Sequence, residues 1–369
     1  MTRPLTVVAV VGARPNFMKV APIIAEIARL DQDVRPVLVH TGQHYDDAMS
    51  KIFLDELGVG APDHLLGVGS GSHAQMTARV MERIEPVLLA ERPDVVLVPG
   101  DVNSTLASAL VAVKLGIAVA HVEAGLRSFD PTMPEEVNRL LTDQVSEVLF
   151  THSPEARENL AREGISSNRV YMVGNTMIDT LAGMRGRIQA LGAAAKHDLT
   201  PGNYLVVTLH RPALVDGPLL EEVLGALAEL ARTMPVVFPC HPRTRARIDG
   251  LPMNSIPDEL RLIEPLGYLE FLSLLEDAAG ALTDSGGIQE ETTYLGIPCF
   301  TLRENTERPV TCTAGTNVLL GLRPQRISEI PALLKSVTAR SSEPPEGWDG
   351  RASERIVDVL LERFSPTTH

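Results

Sequence analysis

Short runs of apolar and β-branched residues alternate with longer helical patterns along almost all of the 369-residue chain. The runs LTVVAVVG, DVVLVPG and IAVAHVE are apolar on both faces, and stretches with helical spacing lie between several of them. Such strands, joined by helical crossovers, are typical of a parallel sheet covered by helices. The pattern restarts at YLVVTLH and continues through MPVVFPC and GALTDSGG. The sequence therefore predicts an α/β fold with two doubly wound parallel sheets that face a cleft, the usual place for a ligand.

Chain length supports two domains, because a single core rarely grows beyond about 250–300 residues. We place the first domain at residues 1–175 and the second at residues 176–351. The stretch 186–203, GRIQALGAAAKHDLTPGN, has a weak apolar pattern and is interpreted as a linker.

Composition excludes several classes of protein. The formal net charge is −14, which is unfavourable for binding nucleic acid or an anionic membrane. No run approaches the roughly 18–20 apolar residues of a membrane span. The cysteines Cys240, Cys299 and Cys312 lack metal-site spacing and suit a reducing compartment. The start, MTRPLTVVAVVGARPN, is interpreted as a strand and its turn rather than a signal peptide. We expect a soluble, cytoplasmic protein.

Charged residues follow the apolar runs, at the strand ends where doubly wound sheets bind ligands. GARPNFMK places Arg14 and Lys19 near a helix N-terminus, which itself favours anions. Two such cations alone are more often surface residues. Asp101 follows DVVLVPG and precedes a helix, where an aspartate is most often a cap.

Further carboxylates follow the next run. Glu123 comes directly after IAVAHV, and a buried carboxylate there needs a partner, for which Arg127 is a candidate, or a task. Glu135 and Glu136 begin a helix, where one complements the helix dipole and the other could point into the cleft. Asp101, Glu123 and Glu135 could thus converge, and converging carboxylates push their pKa values apart, as acid and base roles require.

The second half of the chain offers cations and a glycine turn. His210 and His241 each follow a strand, but neither has the spacing of a zinc motif, so no metal site is expected. In LTDSGGIQEE, the Ser285 hydroxyl and the N–H groups of Gly286 and Gly287 could cradle a phosphate at a helix N-terminus. The alternative for this turn alone is an ordinary strand-to-helix connection.

Two more residues favour the anion site over the ordinary turn. Glu291 lies about one turn into the helix, where an acidic residue can accept hydrogen bonds from ribose hydroxyls. Arg308, in ENTERPVTCTAGTN, supplies another cation.

Together these motifs resemble one family, the non-hydrolysing UDP-N-acetylglucosamine 2-epimerases. The combination of HVEAGLRS, MPEEVNR and DSGGIQEE is far more specific than a lone glycine turn. The stretches that carry the resemblance follow the family's order and are GARPNFMKVAPI, TGQHYD, VPGDVNSTLASALVAVKLGIAVAHVEAGLRSFDPTMPEEVNRLLTD, VGNTMIDTL, TLHRP, LTDSGGIQEE and NTERPVTCTAGTN.

The resemblance implies a GT-B fold, with two Rossmann-like domains and the nucleotide held mainly by the second. It implies that the last helix, at about 352–369, packs back on the first domain. The implied reaction interconverts UDP-GlcNAc and UDP-ManNAc by elimination of UDP to 2-acetamidoglucal and re-addition. No metal or nicotinamide cofactor is implied, and a homodimer is expected.

Site residues also carry over from the resemblance. The implied catalytic set is Asp101, Glu123, Glu135 and His210. The implied substrate-binding set is Arg14, Lys19, His241, Phe271, Ser285, Gly286, Gly287, Glu291 and Arg308. Within the second set, the serine and glycines hold phosphate, Glu291 contacts the ribose and Phe271 lies beside the uracil. Which carboxylate is the acid and which the base stays open.

The sequence departs from the family pattern at several positions. Tyr45, in QHYDDAM, stands where many bacterial members have an arginine of a second UDP-GlcNAc site, which argues against allosteric activation by substrate. Ala213 and Leu214, in HRPALVD, replace polar residues near the diphosphate. Leu266 replaces the usual glutamine near the uracil.

Three alternative functions stay open. A hydrolysing 2-epimerase would release N-acetylmannosamine and UDP, but the segments GARPNFMK and TERP favour the non-hydrolysing branch. A GT-B glycosyltransferase would need an acceptor-docking segment, which the sequence does not show. An inactive nucleotide-sugar sensor would be expected to lose one of the three carboxylates, and all three are present.

Overall fold

The chain forms two compact units, each built around its own parallel sheet. The structure, a computed structural model, describes residues 3–30, 33–42, 57–250, 260–337 and 343–365. The first unit comprises Met1–Thr180 and Glu346–His369, and the second comprises Leu181–Pro345. The division falls a few residues after the predicted domain boundary at residue 175.

The sheet of the first unit has seven strands among the described residues, and all its strand pairs are parallel. The strands are β1 (Leu5–Val11), β2 (Val34–His40), β3 (His64–Leu65), β4 (Val95–Pro99), β5 (Ala118–Val122), β6 (Val148–Thr151) and β7 (Val170–Met172). Their order is β3-β2-β1-β4-β5-β6-β7, so the order reverses between β1 and β4. Ligands of doubly wound sheets bind outside the carboxyl ends of the strands at such a reversal.

Helices connect these strands. Within the described residues they are α1 (Arg14–Arg29), α2 (His73–Glu91), α3 (Asn103–Lys114), α4 (Pro134–Val145) and α5 (Pro154–Arg162), and α6 (Thr176–Leu191) follows β7. Helix α2 shows how the sequence specifies them. Ser72 and Gln75 form a capping box at its start, and Met76, Val80, Ile84 and Leu88 recur every fourth residue on its buried face. That spacing places one apolar stripe against the sheet.

The second unit has a sheet of six strands within its described residues, again parallel throughout, in the order β10-β9-β8-β11-β12-β13. The strands are β8 (Leu205–Thr208), β9 (Val236–Pro239), β10 (Leu260–Ile263), β11 (Gly280–Thr283), β12 (Cys299–Thr301) and β13 (Asn317–Leu319). The helices are α7 (Ala193–Lys196), α8 (Pro212–Val215), α9 (Leu219–Ala231), α10 (Pro242–Asp249), α11 (Tyr268–Glu276), α12 (Gly286–Leu295), α13 (Val310–Thr313) and α14 (Ile330–Val337). Here the order of strands reverses between β8 and β11.

The predicted fold class, α/β with two parallel sheets, is confirmed. The predicted linker at 186–203 is wrong. Its first residues end helix α6, and the alanines of α7 pack inside the second unit, where Ala193 and Ala194 are buried and Ala193 N donates to Ser273 Oγ at 3.1 Å. Alanine gives a weak apolar signal, yet its small side chain allows helices to pack closely. No helix in the described ranges is both long enough and apolar enough to cross a membrane.

The last helix, α15 (Ala352–Phe364), belongs to the first unit and packs against α1. Buried Asp179 satisfies its N-terminus by accepting hydrogen bonds from Ala352 N at 3.0 Å and from Ser353 N at 2.6 Å. Trp348, also buried, donates from its indole nitrogen to the carbonyl of His152 at 2.8 Å. These contacts connect the last helix and the residues before it to α6 and to the end of β6.

We expect Gly174→Ala to lower the free energy of unfolding by more than about 3 kcal/mol. Gly174 has a φ of +94°, and an added Cβ would lie 1.9 Å from the carbonyl oxygen of Gly347. Gly183→Ala, in α6, is the control, because nothing lies within 4 Å of an added Cβ there. Alanine at that helical site should raise stability by about 0.5–1 kcal/mol. Urea denaturation measures both, and a mild effect at Gly174 would contradict the close contact.

Candidate active site

A buried ion pair lies at the carboxyl edge of the first sheet. Glu123 follows β5 directly, with a φ of +71°, and its Oε2 lies 2.5 Å from Nζ of Lys19 on α1. Both side chains are more than 90% buried. Nζ of Lys19 also lies against the turn that leads into Asp101, since a Cβ added to Gly100 would be 2.8 Å from it. Two of the predicted site residues, Lys19 and Glu123, are therefore in contact. Lys19 also lies close to Gly100, the residue before Asp101.

Glu123 thus pairs with Lys19, whereas the candidate partner Arg127 binds elsewhere. The Arg127 guanidinium donates to Asp143 at 2.7 Å and forms two hydrogen bonds with Glu163, at 2.7 and 2.6 Å. The sequence suggested Arg127 because it is near Glu123 in the chain. Lys19 is more than a hundred residues away and reaches Glu123 because β1 and β5 flank β4 in the sheet.

Asp143, on α4, is fully buried and forms hydrogen bonds with residues at this edge of the sheet. It accepts a hydrogen bond from His121 Nδ1 at 2.6 Å and another from Gly125 N at 3.1 Å. His121 Nε2 contacts the Gly100 carbonyl oxygen at 2.7 Å.

Burial opposes the ionisation of Asp143, but the charges and hydrogen bonds of His121 and Arg127 outweigh it and lower its pKa.

The two adjacent glutamates at the start of α4, Glu135 and Glu136, differ in burial and in their contacts. Glu136 is buried and accepts hydrogen bonds from the backbone N–H groups of residues 128 and 129, at 2.9 and 2.8 Å. Arg139 joins Glu136, at 2.8 Å, to Asp101, at 2.5 Å. Glu136 therefore holds the loop before α4. Glu135 is partly exposed in the first turn of the same helix, which leaves it the accessible carboxylate of the pair.

The second unit contributes a turn with exposed donors. Ser285 is the N-cap of α12, and its side chain makes no capping hydrogen bond to the helix. The first N–H groups of an α-helix have no intrahelical partner and favour an anion. Nη1 of Arg308 would lie 2.5 Å from a Cβ on Gly286, so only glycine lets the guanidinium come this close to the turn. Glu290 holds Arg308 there through Nε at 2.8 Å.

Three arginines lie near this turn and share the carboxylate of Glu307. Arg303 forms two hydrogen bonds with Glu307, at 2.8 and 2.7 Å. Arg308 and Arg211 lie 3.6 and 3.9 Å from the same carboxylate. Burial and repulsion from Arg303 lower the pKa of Arg211, with Glu307 and Asp284 opposing. An anion bound at the turn would meet these guanidinium groups as well as the helix N-terminus.

His210 is held beside the turn. Its Nδ1 lies 2.8 Å from Oδ1 of fully buried Asp284, and the ring itself is 56% exposed. His241, after β9, is exposed at the start of α10. Strand β8, which leads to His210, pairs with β11 and β9, so the two histidines and the Ser285 turn leave the same edge of the sheet.

Glu291 is buried one turn inside α12. Tyr268, at the start of α11, donates from its hydroxyl to Oε1 of Glu291 at 2.9 Å. Phe271, one turn further along α11, is partly buried. Burial raises the pKa of Glu291 to about 8; the Tyr268 hydrogen bond opposes this rise, and repulsion from Glu290 adds to it.

Three residues named in the sequence analysis lie wholly or in part outside the described structure. The segment with Tyr45 falls outside the described residues, and the side chains of Arg14 and Ala213 are likewise not described. Leu214 is buried and Leu266 is partly buried. Among the described residues, no group of three or more histidine, cysteine or acidic side chains is arranged to hold a metal ion.

The sequence did not single out Asp143, Arg139 or Asp284. A polar His121 inside the apolar run IAVAHV was the one signal of a buried network, since a histidine there needs partners. Asp143 sits in an amphipathic helix and Asp284 precedes a turn, where an acidic residue has ordinary explanations.

We expect Glu291→Gln to change how stability depends on pH. The ordinary pKa is 4.5 and the folded one about 8, so between these values the unfolded chain releases a proton that the folded chain keeps. The free energy of unfolding therefore falls as the pH rises through this window. The neutral variant should reduce the slope by up to about 1.4 kcal/mol per pH unit.

Urea denaturation between pH 5 and pH 8 measures this slope. Glu221→Gln, on the exposed face of α9, is the control, because that carboxylate is solvated in both states. An unchanged slope in Glu291→Gln would contradict the protonated, buried carboxyl.

Comparison with known proteins accords with this arrangement. A family model described as UDP-N-acetylglucosamine 2-epimerase matches residues 27–361. The UDP-N-acetylglucosamine 2-epimerase of Methanocaldococcus jannaschii is 42% identical, and the match covers 95% of this chain and 97% of that protein. The UDP-2,3-diacetamido-2,3-dideoxy-D-glucuronate 2-epimerase of Pseudomonas aeruginosa is 41% identical, with 97% and 100% covered.

A solved structure agrees with these matches. The crystal structure of the M. jannaschii UDP-GlcNAc 2-epimerase in complex with UDP-GlcNAc and UDP has a TM-score of 0.83 at 39% identity, covering 97% of this chain and 100% of that one. The resemblance seen in the sequence motifs is confirmed: the chain belongs to the UDP-N-acetylglucosamine 2-epimerase family.

Proposed function

We propose that this chain catalyses the reversible epimerisation of UDP-GlcNAc to UDP-ManNAc at C2 of the sugar. The observation that carries the proposal is the division of charge between the two units. The first unit holds carboxylates at its strand ends, and the second holds an open helix N-terminus surrounded by arginines. A nucleotide sugar that loses its diphosphate needs both kinds of group.

Removal and return of the C2 proton with the C1–O bond intact is implausible, because C2 is not adjacent to a carbonyl. In the proposed reaction, a carboxylate takes this proton while the C1–O bond breaks, and the electron pair of that bond goes to the β-phosphate oxygen of UDP. The product is 2-acetamidoglucal. UDP then adds back at C1, and a proton is delivered to C2 on the opposite face. Neither the elimination nor the re-addition transfers a hydride, so the chemistry calls for no nicotinamide.

The first unit is proposed to handle the proton. Glu123, Asp101 and Glu135 are the candidate acid and base groups. Lys19 stabilises the ionised form of Glu123 in a buried site, where an unpaired carboxylate would be costly. Arg139 fixes the orientation of Asp101.

The second unit is proposed to hold UDP. The diphosphate would bind the Ser285–Gly287 turn and Arg308, which stabilise the negative charge that develops as UDP departs. His210 and His241 lie at the same edge. Glu291, kept protonated by burial, can donate as well as accept a hydrogen bond at the ribose, and Phe271 on the neighbouring helix would lie beside the uracil.

Proton NMR of the purified protein with UDP-GlcNAc in D2O tests this function. We expect UDP-ManNAc to form with deuterium at C2. Glu123→Gln should lower kcat by at least about 100-fold, because proton transfer by a positioned group contributes that much. Glu158→Gln, an exposed residue on α5, is the matched control and should retain full activity.

Each other outcome points to a different function. Free N-acetylmannosamine with UDP would identify a hydrolysing epimerase, and sugar transfer to an added acceptor would identify a glycosyltransferase. Turnover of UDP-2,3-diacetamido-2,3-dideoxy-D-glucuronate but not UDP-GlcNAc would keep the reaction and change the substrate to that named for the P. aeruginosa relative. Binding of UDP without turnover of either sugar would favour a sensor.

We also propose a homodimer. Of the large hydrophobic side chains with the highest exposure in the described ranges, Leu89 lies on α2, Val113 on α3, and Val137 and Leu141 on α4. Helix α3 packs against both α2 and α4. The outward face of these three helices, here called the α2–α4 face, is apolar enough to bind a second copy of the chain.

We expect a combined Leu89→Arg and Leu141→Arg variant to be monomeric by light scattering, because two buried, unpaired guanidinium groups would disfavour the interface. Leu65→Arg is the control, since this exposed leucine lies on β3 instead. A monomeric wild-type protein, or a dimer that survives the double substitution, would refute this interface.

A cytoplasmic location is proposed as well. The cysteines Cys240, Cys299 and Cys312 are all free thiols, which suits a reducing compartment. Cell fractionation would test this, and recovery outside the cytosol would contradict it.

A further inference from the structure

Asp284 joins two loops of the second unit and has no place in the proposed reaction so far. It is fully buried between β11 and the Ser285 turn. Its Oδ2 accepts hydrogen bonds from the backbone N–H groups of His210, at 2.9 Å, and Arg211, at 2.8 Å. Its Oδ1 lies 2.8 Å from His210 Nδ1. One carboxylate therefore fixes both the backbone and the side chain of His210.

The strand register explains why these groups meet. Thr208 of β8 is paired with Thr283 of β11, so the two chains leave the sheet side by side. Residue 284, directly after β11, therefore lies beside the residues that follow β8, which include His210. Burial of Asp284 opposes its charge, but the hydrogen bond and charge of His210 and the two backbone N–H groups outweigh this and lower its pKa. Asp284 is thus an acceptor at neutral pH.

The acceptor at Nδ1 determines the orientation of the His210 ring and the hydrogen-bonding role of Nε2. Nδ1 must carry a hydrogen, and the ring orientation is fixed although the side chain is 56% exposed. Nε2 is the ring nitrogen that does not contact Asp284, and more than half of the side chain is exposed, so a ligand can reach the ring. A carboxylate on one nitrogen also stabilises a positive charge on the ring, so that Nε2 can carry a hydrogen too.

We propose that Asp284 is a positioning residue that acts through His210, orienting the imidazole so that Nε2–H donates a hydrogen bond to the departing β-phosphate oxygen of UDP. This inference rests on the proposed function. As the C1–O bond breaks, its electron pair becomes charge on that oxygen, and the hydrogen bond strengthens. His210 ends the cycle with the same protons, because re-addition of UDP reverses the step.

Because arginines lie near His210, a positive charge on its imidazole depends on a carboxylate beside the ring. Arg211 is the next residue, and Arg303 and Arg308 face it across Glu307 from the segment after β12. These arginines disfavour a further positive charge, and Glu307 and Glu290 oppose their effect. Asp284 is the carboxylate that touches the imidazole.

Ring ¹⁵N NMR of histidine-labelled wild-type protein tests the arrangement without any substitution. We expect the His210 Nδ1 signal of a protonated nitrogen, and a shift of the Nε2 signal when UDP is added. An unprotonated Nδ1, or an Nε2 signal that ignores UDP, would overturn the proposal. The spectrum is read without turnover, so inactivity on UDP-GlcNAc would refute the proposed function separately.

A double-mutant cycle tests the functional part. Asp284→Asn should lower kcat by about 10–100-fold, as removal of a group that orients a functional histidine does, with a much smaller change in UDP affinity. In a His210→Asn background, the same change should lower kcat by less than about 3-fold, because its effect passes through the imidazole. Equal losses in both backgrounds would show that Asp284 only supports the fold.

Discussion

The buried carboxylate of Asp143 is the interaction on which the first unit's candidate site depends. Asp143 comes from α4 and binds His121, Gly125 and Arg127, while His121 reaches on to the Gly100 carbonyl. These contacts join the ends of β4 and β5 to the helix that carries Glu135. Buried charges are costly unless every one is paired, so the network tolerates few other arrangements. Asp101 and Glu123 leave the sheet from loops whose backbones it fixes.

Asp284 has the corresponding place in the second unit. Each aspartate is fully buried, and each accepts backbone N–H groups together with a histidine Nδ1. The histidines differ in exposure, since His121 is enclosed in the network while the ring of His210 is open to solvent. The same local chemistry therefore serves a structural role in one unit and is available for a ligand in the other.

Much of the fold could be predicted from the sequence, because strands buried on both faces leave a strong apolar pattern. The two-residue strand β3 leaves too little apolar pattern to be detected in the sequence. The candidate site was harder. Residue types after each strand indicated an anion site and carboxylates, but the partner of Glu123 depended on strand order. Lys19 reaches it across the sheet, whereas sequence proximity pointed to Arg127.

The central claim is that the C1–O bond breaks and the charge passes to a UDP held by the second unit. Positional isotope exchange tests it most directly, with UDP-GlcNAc that carries ¹⁸O in the bridge between C1 and the β-phosphorus. Free UDP can rotate its β-phosphate before it adds back, so ³¹P NMR should show the label moving to non-bridging positions in recovered UDP-GlcNAc. Epimerisation with the label still in the bridge would contradict an account in which UDP departs and its β-phosphate turns before it adds back.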